Sequence, residues 1–195
     1  QEEPKTTVPL AWSLDGRWLA FARLFVDGDV YVVGRDGGTP MAAGRGTTAH
    51  WHATEPRLVL AGSGHGGSSV LATFDVTTGA ARTLLTAPPG SATSPPPWYF
   101  TARWHPNGAL IAYVEGVPLV TQPVTTWTIR PDGTAATKVY EGLANDPEWS
   151  ADGRKLYAFE WSTLSAREFR IVELLTGTRV ARGCSHGPIL ADPCP

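Results

Sequence analysis

Ala11-Trp12-Ser13-Leu14-Asp15-Gly16-Arg17-Trp18-Leu19-Ala20-Phe21 decides the fold, because it returns three times in altered form. The second copy is His50-Trp51-His52-Ala53-Thr54-Glu55-Pro56-Arg57-Leu58-Val59-Leu60, and the third is Arg103-Trp104-His105-Pro106-Asn107-Gly108-Ala109-Leu110-Ile111-Ala112-Tyr113. The fourth is Glu148-Trp149-Ser150-Ala151-Asp152-Gly153-Arg154-Lys155-Leu156-Tyr157-Ala158-Phe159. The leading tryptophans Trp12, Trp51, Trp104 and Trp149 stand 39, 53 and 45 residues apart. Those spacings bracket the roughly 40–45 residues of a four-stranded propeller blade. Trp-Ser, or Trp-His in copies two and three, ends a strand, and in copies one, three and four Asp15-Gly16, Asn107-Gly108 and Asp152-Gly153 supply the positive-φ positions of a tight turn. A second apolar strand then begins. Repeat two replaces that pair with Thr54-Glu55-Pro56, which predicts a wider first hairpin there.

A third strand follows in each repeat: Val30–Val33, Val70–Phe74, Thr126–Ile129 and Phe169–Val172. Each runs into a second turn, at Arg35-Asp36-Gly37-Gly38, Val76-Thr77-Thr78-Gly79, Arg130-Pro131-Asp132-Gly133 and Leu175-Thr176-Gly177. A short polar fourth strand comes next, as in Arg82–Leu85 and Thr137–Tyr140. No segment keeps a helical period, so almost no helix is expected. A Trp-Ser-x-Asp-Gly-x-x-Leu-Ala-Phe stretch followed by an aromatic strand and an Asp-Gly turn resembles the TolB-type, WD-like β-propeller repeat. The resemblance runs from about Pro9 to Val180 and implies an all-β propeller of four recognisable four-stranded blades. The repeats fall at about 9–45, 48–87, 100–141 and 146–182 of one domain spanning 1–195, with a C-terminal tail at 183–195. The leading tryptophans are expected to be largely buried. TolB-type propellers resemble rings of six to eight blades, which leaves three arrangements open here: a closed small ring, an arc completed by a partner, or a piece of a larger propeller.

Composition narrows the function. The formal net charge of −2 gives no broad electrostatic case for nucleic acid or an anionic membrane. No run of roughly 18 apolar residues exists to span a bilayer. The chain begins Gln1-Glu2-Glu3-Pro4, which reads as a mature N-terminus after signal removal and points to a secreted, cell-surface or periplasmic protein. The two cysteines, Cys184 and Cys194, are set close together near the C-terminus. A thiol or metal site with His186 is one reading; a disulfide tying down the tail is the favoured one, at about 2–3 kcal/mol in the chain-entropy model.

Several patterns invite chemistry and lose to simpler readings. In His50-Trp51-His52 the two imidazoles share a strand face and could meet one metal ion. The repeat alignment instead sets His52 with Ser13, His105 and Ser150, the residues that open the turn, where a side chain caps backbone groups. Asp27-Gly28-Asp29 lacks the string of oxygen ligands that calcium needs. Gly62–Ser69 is Gly-rich but has no Gly-x-Ser-x-Gly elbow, and the α/β-hydrolase domain of propeller-bearing peptidases has no counterpart. No cofactor site is recognised. The residues before the repeat tryptophans are Ala11, His50, Arg103 and Glu148, and equivalent positions face one another around a propeller axis, so they form a candidate binding surface. Two insertions add candidate contacts: the Pro-rich link 87–100 with Trp98 and Tyr99, and the apolar loop 115–124 with Leu119 and Val120. The resulting expectation is a non-catalytic propeller that binds a protein partner or itself outside the cytoplasm. The alternatives are an accessory propeller of a peptidase or other hydrolase, and glycan or small-molecule binding through surface aromatics.

Overall fold

The structure, a computed structural model, describes residues 6–24, 29–62, 68–91, 95–117, 123–161, 168–175 and 178–184. It is all β, with no helix among the described residues. The first blade comprises β1 (Thr6–Trp12), β2 (Trp18–Leu24), β3 (Asp29–Gly34) and β4 (Gly37–Arg45). The second comprises β5 (Thr48–Trp51), β6 (Arg57–Gly62), β7 (Val70–Asp75) and β8 (Ala80–Thr86). The third comprises β9 (Trp98–Trp104), β10 (Ile111–Gly116), β11 (Val124–Ile129) and β12 (Thr137–Gly142). The fourth comprises β13 (Ala144–Trp149), β14 (Leu156–Trp161), β15 (Glu168–Glu173) and β16 (Thr178–Cys184). Each blade is an antiparallel meander in simple sequence order, and no blade borrows a strand from another.

Consecutive blades meet through their first strands, β1 against β5, β5 against β9 and β9 against β13, while β8 and β12 lie largely exposed on the outside. The first and fourth blades make no comparable contact among the described residues, so the four sheets form an open arc. Strand alternation sends successive side chains to opposite sheet faces, so each internal blade packs in both directions. Three cores result. Ala20, Val30, Val32 and Ala43 of the first blade meet Trp51, Leu58, Leu60 and Phe74 of the second. Val59, Ala61 and Leu71 meet Trp104, Ile111, Tyr113 and Ile129 of the third. Ala112 meets Trp149, Leu156, Ala158, Val172 and Leu174 of the fourth. The pattern is directional: the face turned to the next blade carries small residues, and the face receiving the previous blade carries Trp and large aliphatics.

The first hairpins are built alike. Ser13, His52, His105 and Ser150 each donate a backbone N–H across the turn, to Trp18, Arg57, Leu110 and Lys155, at 2.8–2.9 Å. The hairpin of repeat two is therefore no wider than the others, because Glu55 stands in the glycine's place without positive φ and the His52 Nδ1 accepts from the N–H groups of Thr54 and Glu55. Elsewhere Gly16, Gly108 and Gly153 hold φ of 66°, 72° and 69°. Positive φ falls on the glycine alone in these turns. Asp15 and Asp152 cap instead, each accepting a 2.6 Å bond from the hydroxyl of Ser13 or Ser150.

Candidate functional site

Two surfaces are built by this arrangement, one along the first strands and one at the start of the arc. A first strand has one edge paired within its blade and one edge left over, whose N–H and C=O groups need partners. Side chains from the adjoining blade supply them. The Trp51 indole donates to the Ala11 carbonyl at 3.0 Å, the Thr48 hydroxyl to the Phe100 carbonyl at 3.2 Å, and the Trp104 N–H to His50 Nδ1 at 3.2 Å. His50 is therefore held as the neutral tautomer with the proton on Nε2. Beside it Arg103 donates through Nε to Glu148 at 3.0 Å and through Nη1 to the Ala102 carbonyl. The structure thus brings His50, Arg103 and Glu148 together across three blades, with Ala11 at the same place on the first. Arg103 is mostly covered and Glu148 mostly exposed, so the pair holds position more than it adds stability.

Burial, reinforced by the Arg103 guanidinium, pushes the His50 imidazole down to about 4 from 6.5. His52 is also pushed down, by burial first, with Glu55 opposing and Arg57 assisting. At pH above 6.5 His50 is neutral in both folded and unfolded chains. As pH falls from 6.5 towards 4, the unfolded chain takes a proton that the folded chain refuses, so stability drains through that window by about 3 kcal/mol from His50 alone. Urea midpoints measured from pH 7 to 4 should fall accordingly. His50→Gln, which keeps an acceptor for Trp104 N–H, should flatten the loss; an unchanged slope would remove His50 from the account.

The second surface faces away from the second blade, on the first. Trp12 is 54 % exposed, whereas Trp51, Trp104 and Trp149 are 6 %, 3 % and 9 % exposed. The expectation of burial is correct for three of the four and wrong for Trp12, because burial of this residue comes from the preceding sheet. Leu19 sits opposite Trp12 in the ladder, as Leu58, Ile111 and Leu156 sit opposite the other three. Those three are fully buried and Leu19 is only partly covered. Phe21 and Tyr31 stack at 5.7 Å on the same face, and the Arg23 guanidinium lies 5.3 Å from the Tyr31 ring.

The remaining candidates separate. Trp98 is 37 % exposed and stays at the surface. Tyr99 does not: it is buried in the core between the second and third blades, edge-on to Tyr113 at 5.7 Å, because a register shift in the β9–β10 ladder between Ala102 and Tyr99 turns it to the same side as Trp104. It is removed from the surface aromatics. Leu119, Val120 and Cys194 lie outside the described residues, and with Cys194 the proposed disulfide. Among the described residues no three metal-ligating side chains come together. One feature escaped the sequence reading. His52 lies edge-on to Trp104 at 4.9 Å, and His105 to Trp149 at 4.6 Å, with His105 Nε2 2.9 Å from the Gly153 carbonyl. Each turn-opening histidine thus reaches the turn glycine of the next blade. The signal was present: His52 and His105 precede repeats that carry Gly108 and Gly153, while Ser13 precedes one that carries Glu55.

No protein-family model matches the chain, and no curated protein matches it. Solved structures do. A TolB from Agrobacterium tumefaciens superposes with a TM-score of 0.62 at 17 % identity over 87 % of this chain and 62 % of its own. TolB from Acinetobacter baumannii gives 0.62 at 14 % over 90 % and 43 %. The dihydro-heme d1 dehydrogenase NirN gives 0.58 at 18 % over 92 % and 38 %. The chain therefore has the fold of TolB-like propellers and spans less than two thirds of the length of each of these structures.

Proposed function

We propose that the chain is a non-catalytic propeller segment that acts outside the cytoplasm by binding another protein, and that the open face of its first blade is the principal contact. The exposed Trp12 carries this reading. Three equivalent tryptophans are buried under a neighbouring sheet, and the fourth is set in the same apolar ladder with Leu19 and the Phe21–Tyr31 stack but uncovered. Contiguous apolar faces of this kind mark interaction surfaces on soluble proteins. The His50–Arg103–Glu148 strip adds a charged edge along the first strands, suited to orienting a partner more than to holding it. Location outside the cytoplasm rests on the resemblance of the repeats to the TolB type.

Binding of an apolar-surface dye to the isolated chain tests this reading. Dye should bind, and Trp12→Ser should remove most of the signal while the circular dichroism spectrum stays that of β-sheet. A chain that binds no dye, or one whose dye binding ignores Trp12, would sink the proposal.

A further inference from the structure

Deepening that reading, we infer that the arc is one-ended: the open face of the first blade receives a β-sheet bearing small side chains from another protein, and the fourth blade of a second copy is not that sheet. The three internal interfaces define what such a face accepts. At equivalent ladder positions the donating faces carry Ala20 with Val32, Val59 with Thr73 and Ala112 with Thr128. One step along they carry Ala22 with Val30, Ala61 with Leu71 and Val114 with Thr126. Every position but Leu71 is Ala, Val or Thr, which leaves room for the incoming Trp and its large neighbours.

The fourth blade breaks this rule. Its corresponding pair is Tyr157 with Glu173, and the next ladder position places Ile171 on the same face. Leu156, Ala158, Val172 and Leu174 alternate with these residues and are already used against the third blade. The Glu173 carboxylate is tied down by accepting the Leu175 N–H at 3.0 Å. A phenol and a carboxylate where internal blades place Ala, Val or Thr make this the atypical outer face of a terminal repeat. Glu173 is itself buried within the chain, and apposing this face to Trp12, Leu19 and Phe21 would set the bulk of Tyr157 and Ile171 on bulk. The first blade, in contrast, keeps the full receiving pattern. An inner-edge carbonyl for the indole is optional, since Ala11 supplies one to Trp51 while the buried Trp104 and Trp149 indoles have none among the described residues.

The test converts the fourth blade into a donating face. Tyr157→Ala/Ile171→Val/Glu173→Thr is compared with the unaltered chain by sedimentation velocity. The unaltered chain should show no head-to-tail association as its concentration is raised, and Trp12 should stay equally open to hydroxyl-radical labelling. The triple variant should shift to assemblies of two or more chains, and adding Trp12→Ser should return it to one. A folded triple variant that stays a single chain overturns the inference, as does association that ignores Trp12→Ser. Concentration-dependent protection of Trp12 in the unaltered chain also overturns it, and needs no variant to fold. Loss of dye binding at Trp12 would strike the binding proposal itself, so the two failures are told apart.

Discussion

Trp104→Ala should destabilise the chain by about 3–5 kcal/mol, while Trp12→Ala, at the same place in the repeat, should cost under about 1 kcal/mol. The Trp104 ring is sealed between the second and third blades with Val59, Leu71, Ile111 and Ile129. Removing it deletes large buried apolar area and leaves a cavity that rigid sheets on both sides cannot close. It also strips the His52 imidazole of the ring on which it rests. Trp12 already meets solvent, so truncation there loses little packing. Urea denaturation of both variants beside the parent measures the difference. Equal losses would mean that something covers Trp12 in the isolated chain.

Gly108→Ala should cost about 3 kcal/mol, and Gly16→Ala only about 1 kcal/mol, although both glycines sit at positive φ in equivalent turns. A Cβ at Gly16 meets nothing within 4 Å and bears only the conformational penalty. A Cβ at Gly108 would overlap His52 Nε2 and crowd its Cε1 and Cδ2 at 3.0 and 3.1 Å. His52 cannot swing aside cheaply, since its Nδ1 accepts from the Thr54 and Glu55 N–H groups and its ring is set against Trp104. His52→Ser restores the residue found at this position in repeats one and four, and the double variant should recover most of the steric part of the loss. A double-mutant cycle in thermal or urea unfolding reads that coupling. Additive losses would show that the histidine and the glycine do not act as a latch between blades.

The blade architecture was legible because each repeat states its turn chemistry locally. Ser13, Asp15 and Gly16 are the hydrogen-bond acceptor, cap and positive-φ position of one turn, and no tertiary information is needed to read them. The axial row of His50, Arg103 and Glu148 was legible for the same reason, since repeat alignment puts equivalent residues in equivalent places. The exposure of Trp12 was not. The sequence of a blade specifies a receiving face, whereas coverage of that face depends on a sheet elsewhere. Tyr99 was misplaced because a Pro-rich approach suggested a surface segment, while a register shift between β9 and β10, which alternation from Trp104 does not foretell, exposes Trp98 and buries the next residue. The wide hairpin expected at Thr54-Glu55-Pro56 failed to form because His52 can cap that turn through its side chain without the help of a glycine.

Hydroxyl-radical labelling of the isolated chain, read residue by residue by mass spectrometry, compares the four repeat tryptophans in one sample. An open arc with an unfilled receiving face requires Trp12 to be oxidised many times faster than Trp51, Trp104 and Trp149. Four tryptophans protected alike would mean that the arc closes on itself or self-associates, and would contradict the account at its centre.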